Sequence, residues 1–75
     1  MGGFMLGLDI HEDGAIRFIL YRMPEKVEIA SGEVRRQCWT IENIQVDVSE
    51  LHDGETTEGI ADVLKYLARM TDLYL

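Results

Sequence analysis

Residues 4–22, FMLGLDIHEDGAIRFILYR, alternate with period two on both sides of a short polar break. Phe4, Leu6, Leu8 and Ile10 share one face and Met5, Gly7 and Asp9 the other. Ile16, Phe18 and Leu20 oppose Arg17 and Ile19 in the same way. Alternation of apolar, aromatic and β-branched residues marks two strands. The break Glu12-Asp13-Gly14 offers two registers. A two-residue Asp13-Gly14 loop sets Ile10 against Arg17 and Asp9 against Phe18. A three-residue loop, with Gly14 in the left-handed position after a type I turn, sets Leu8 against Phe18, Leu6 against Leu20 and Asp9 against Arg17. The second register matches apolar with apolar and acid with base, so it is the expected one.

The pattern continues outward from this hairpin, expected over 4–11 and 15–22. Pro24 cannot donate to a ladder and breaks the chain after Met23. Val27 and Ile29 resume the alternation. Ser31-Gly32 could turn the chain, and Glu28 would then face Arg35 and Ile29 would face Val34. A helical stripe through Val27, Ala30, Val34 and Cys38 is the rival reading, weakened by about 1 kcal/mol by Gly32 in its middle. Trp39, Ile41, Ile44, Val46 and Val48 keep the chain β-rich. A phase shift at Glu42-Asn43 calls for a bulge or a tight turn. After Asp53-Gly54, Thr56 or Thr57 can cap a helix running over about 57–74. The expected fold is α+β, an antiparallel sheet of three to five strands with one C-terminal helix on a face, in one domain over residues 1–75.

The helix is unusual in its girth. At 100° per residue, Glu58, Asp62, Lys65, Arg69 and Asp72 fall in a narrow polar stripe, and apolar residues cover most of the remainder. An ordinary surface helix has an apolar stripe only a little wider than about 100°. Ile60, Val63, Leu64, Leu67, Met70, Leu73 and Tyr74 are therefore the candidate interface, most simply with a second copy of the chain. Size points the same way. A core of fewer than roughly 70–80 residues seldom supplies more than about 3–5 kcal/mol. At 75 residues with one cysteine, the chain has no internal disulfide to add.

The chain carries seven Lys/Arg and fourteen Asp/Glu, a formal charge of −7. In residues 38–75 eight acids against two bases leave −6. Asp47, Glu50, Asp53, Glu55, Glu58 and Asp62 follow one another with no base between them. Such a surface repels phosphate backbones, so direct nucleic-acid binding is not expected. It suits a basic protein partner, or mimicry of nucleic acid toward one. No apolar run approaches the ~18 residues of a membrane span. The chain reads as soluble and cytoplasmic.

The string Met5-Leu6-Gly7-Leu8-Asp9-Ile10, its short loop and the returning Ala15-Ile16-Arg17-Phe18-Ile19-Leu20 resemble the first hairpin of the ribonuclease H-like superfamily. That group includes the Holliday-junction resolvases and, more distantly, the actin-like ATPases. Residues 27–35, VEIASGEVR, are similar to the third strand of the resolvases. The resemblance covers residues 4–35. It implies that Asp9 matches the first metal-binding carboxylate of a nuclease or phosphotransfer domain, where paired carboxylates hold two divalent ions. His11 stands where that family has a glycine. The fourth strand and the later carboxylates have no counterpart in these residues. Glu58 or Asp62 would have to complete the pair. Outside the resemblance, Asp9 reads as the cross-strand partner of Arg17.

Other chemistry is thin. His11, Glu12 and Asp13 sit at a turn, as do His52, Asp53 and Glu55, and neither set amounts to a four-ligand metal site. Cys38 beside Trp39 reads as a strand residue without a base at local spacing. Arg17, Arg22, Lys26, Arg35 and Arg36 make a diffuse basic set interleaved with acids. The leading expectation is a non-catalytic, acidic protein-interaction module that self-associates through its helix and needs no cofactor. The runner-up is a divalent-metal enzyme fragment using Asp9.

Overall fold

The computed structural model describes residues 2–35 and 38–71. Four strands, β1 (Gly3–Ile10), β2 (Ile16–Met23), β3 (Val27–Arg35) and β4 (Cys38–Val46), form one sheet in the order β1-β2-β3-β4. Every neighbouring pair is antiparallel. A short 3-10 turn (Val48–Glu50) leads to one helix, α1 (Thr57–Arg69). The fold is α+β.

The first hairpin takes the expected register, with Leu8 opposite Phe18, Leu6 opposite Leu20 and Asp9 opposite Arg17. Its turn explains why. The Gly14 N–H donates to His11 O at 3.1 Å and the His11 N–H to Ala15 O at 2.9 Å. Gly14 has φ +90°, a conformation that costs other residues a Cβ clash. Asp13 Oδ1 accepts from the Ala15 N–H at 3.0 Å and locks the exit of the loop.

The turn that Ser31-Gly32 could have made does not form. Residues 24–36 are not helical either: β3 runs unbroken from Val27 to Arg35, with Gly32 opposite Phe18. Gly32 is there for space rather than for backbone freedom. A Cβ on it would lie 2.6 Å from Ile41 Cγ2, 3.2 Å from Ile44 Cγ1 and 3.4 Å from Leu64 Cδ2. The glycine lets the helix and β4 close over the middle of the sheet. A bulge between Leu20 and Tyr21 shifts the β2–β3 register and leaves both Ile29 and Ala30 buried. The expected irregularity at Glu42-Asn43 is a bulge: the β3–β4 register shifts on both sides of the Glu33–Glu42 pair, and Asn43 takes φ +52°.

Thr56 caps α1, its Oγ1 accepting from the Gly59 N–H at 2.9 Å. The helix ends at Arg69, earlier than expected. There Met70 N–H turns back to Leu67 O at 3.1 Å, and the Thr71 hydroxyl donates to Ala68 O at 2.8 Å. Leu73 and Tyr74 lie outside the described residues. Ile60, Leu64 and Ala68 recur every four residues and press into the sheet. With Phe18, Leu20, Ile29, Ala30 and Val34 they make one core. Phe18, Leu20, Ile29 and Leu64 are fully covered. Each such side chain contributes about 1.5–3 kcal/mol by leaving water.

Candidate functional site

The apolar girth of α1 divides into two parts. Ile60 and Leu64, nominated for an interface, are used by the chain itself and present nothing outward. Val63 and Leu67 are half-buried against the core. Met70 is 69% exposed and Tyr66, which the sequence did not single out, 63%. At 100° per residue these last four residues occupy an arc of about 100° on one flank of the helix. Glu58, Lys65 and Arg69 lie on the other flank, exposed.

Handedness fixes where the apolar flank points. The His11 N–H bonds across the hairpin, so alternation turns the backbone groups of Phe4, Leu6, Leu8 and Ile10 away from β2. Leu6 packs on the helix-side core, so these four side chains share the helix face. For L-residues this places β1 to the right of β2, seen from the helix with β1 running upward. The helix starts near Arg22, at the lower end of β2, and is right-handed. Its Val63–Tyr66–Leu67–Met70 flank therefore faces β1, and its charged flank faces β4.

Beneath that flank, α1 leaves β1 open. Leu8 is 45% and Ile10 63% exposed, and Phe4 is exposed near the start of the strand. Helix flank and edge strand thus form one continuous apolar side of the molecule. Sequence patterning pointed to Val63, Leu67 and Met70 of the helix half but not to Tyr66. The β1 half was hidden because alternation alone does not tell which strand a single helix leaves uncovered.

The acidic segment is less free than its sequence suggests. Glu55 is taken by Arg22, 33 residues away: Arg22 Nη1 lies 3.0 Å from Glu55 Oε2, and Nη2 donates to Oε1. The His52 N–H also donates to Glu55, at 2.7 Å. Both contacts, the Arg22 bonds first, hold the Glu55 carboxyl below the usual glutamate range. Arg22 also sits 5.4 Å over the Phe4 ring. Asp47 holds the 3-10 turn, its Oδ1 accepting from the Ser49 N–H at 3.1 Å and the Ser49 hydroxyl at 2.6 Å. Glu50 is half-buried. Asp53, Glu58 and Asp62 remain as exposed acids.

Asp9 lies exposed on the open face of the sheet. His11 Nε2 approaches its carboxylate at 3.7 Å, while Arg17 reaches Glu28 at 4.0 Å instead. Glu58 and Asp62 belong to the helix on the opposite face, so the sheet separates them from Asp9 and they do not complete a carboxylate pair. Among the described residues no group of three or more His, Cys, Asp or Glu is placed to hold a metal ion. The β4 bulge opens a polar hollow of about 230 Å³ between Arg17, Ser31, Glu33, Asn43 and Gln45. Asn43 donates to Glu33 across it at 2.7 Å. Cys38 belongs to β4 by its backbone; its side chain and that of Trp39 lie outside the description. Among the described residues no helix is long and apolar enough to cross a membrane.

No family model, curated protein or solved structure matches the chain.

Proposed function

We propose that the chain is a small, non-catalytic protein-interaction module that self-associates, with its exposed acids offered to a basic protein partner. The observation that carries this reading is the single apolar side made by Tyr66 and Met70 of α1 together with Leu8 and Ile10 of β1. Large contiguous apolar surface on a globular chain commonly marks an interaction site. The contributing residues now differ from the helix stripe alone: Val63, Leu67 and Met70 remain, Tyr66 joins, and Ile60 and Leu64 drop out. One cysteine in 75 residues is in keeping with a cytoplasmic setting.

Met70→Asp tests the proposal. Met70 is exposed, so the variant should stay folded while weakening association at least tenfold by sedimentation. Equal association of the two proteins would contradict the assignment of that flank. The basic partner, in turn, should be released by salt, because Asp53, Glu58 and Asp62 are solvent-exposed.

A further inference from the structure

We propose, resting on the self-association reading above, that the second copy joins along the free edge of β1, making one continuous antiparallel sheet across a two-fold axis. The two edges of the sheet are not alike. β4 is blunted by its register shifts and by Asn43 at φ +52°. Irregularity of that kind is how sheets discourage further pairing. β1 has none of it. It pairs with β2 over all its length without a shift, and its sequence GFMLGLDI contains no proline or lysine. Asp9, its one charge, points to the open face.

What β1 presents is a row of backbone donors and acceptors on Phe4, Leu6, Leu8 and Ile10, directed away from β2. A strand is the occupant that satisfies such a row, and β1 is complementary to itself. With Gly7 on the axis, Phe4 meets Ile10 of the second copy and Leu6 meets Leu8. Every outward N–H and C=O then finds its counterpart. A shift by two residues one way leaves Phe4 facing Glu12 in the turn; a shift the other way leaves Ile10 facing Gly2. The centred register also sets Met5 against Asp9, so no like charges meet.

Gly7 suits the axis. Residues there form a non-hydrogen-bonded pair, where Cα atoms approach to ~4.5 Å. The Tyr21 ring already fills the space a side chain would need, since a Cβ on Gly7 would lie 2.7 Å from Tyr21 Cε2. Size argues for the helix flank as part of the same contact. A specific interface involves about 20–30 residues a side, more than one strand supplies. Edge pairing puts both helices on the same face, their Val63–Met70 flanks turned toward each other over Phe4, Leu8 and Ile10. The exposed apolar side of each copy then faces that of the other across the axis.

Amide hydrogen exchange on the full chain, read residue by residue at low and high concentration, tests this. Met5, Gly7 and Asp9 bond to β2 and should be protected at both concentrations. Leu6 and Leu8 should exchange freely when dilute and gain at least tenfold protection when concentrated. Ile10→Lys, at an exposed site, should abolish that gain and leave Met5, Gly7 and Asp9 protected. If the chain associates while Leu6 and Leu8 stay unprotected, edge pairing is wrong and self-association stands by another surface. If its mass stays that of a monomer, self-association itself fails.

Discussion

At Gly32 the sheet gives up a side chain so that Ile41, Ile44 and Leu64 can close over it. Gly32→Ala should therefore destabilise by about 1–3 kcal/mol through overpacking, as measured by urea denaturation. A turn glycine would instead show its cost through backbone strain, which Gly32 does not have. The sequence misleads here because a glycine after a serine signals a turn locally, and only packing between distant elements overrides that signal. Arg22 and Glu55 teach the same lesson. They lie 33 residues apart, far beyond helical or hairpin spacing, yet their ion pair fastens the loop before α1 to β2. The folded Glu55 carboxyl titrates below its unfolded value, so its contribution is present above the ordinary glutamate pKa of ~4.3 and fades as pH falls through the folded value. Glu55→Gln should melt at a lower temperature than wild type near neutrality. That gap should close as the pH is taken below about 4. A gap that persists in acid would mean the pair is not its source.

Elements whose determinants are local were legible. The first hairpin came out with its register because Asp13, Gly14 and the alternation all act within a few residues. The helix start was legible too, through Thr56. Thr56→Ala should cost about 1 kcal/mol by chemical denaturation, from losing the bond to the Gly59 N–H. The helix end was not legible: the apolar pattern continues past Arg69, and nothing in the composition of residues 70–71 announces that the backbone turns there. The continuity of β3 and the two-sided irregularity of β4 depend on which strands neighbour each other, which alternation does not encode.

At the scale of the molecule, one helix serves a sheet of four strands and, among the described residues, leaves apolar side chains exposed along β1. Its charged flank lies toward the bulged edge and its apolar flank toward the regular one. The wide apolar girth of the helix was readable from its sequence. Which of those residues the chain uses for itself needed the three-dimensional arrangement, since Ile60 and Leu64 look no different from Val63 and Leu67 on a helical projection. The most direct test is the sedimentation-equilibrium mass of the wild-type protein across a wide concentration range. The mass should rise from monomer to dimer with concentration, and fall back to monomer for Met70→Asp. A monomer mass throughout would contradict it.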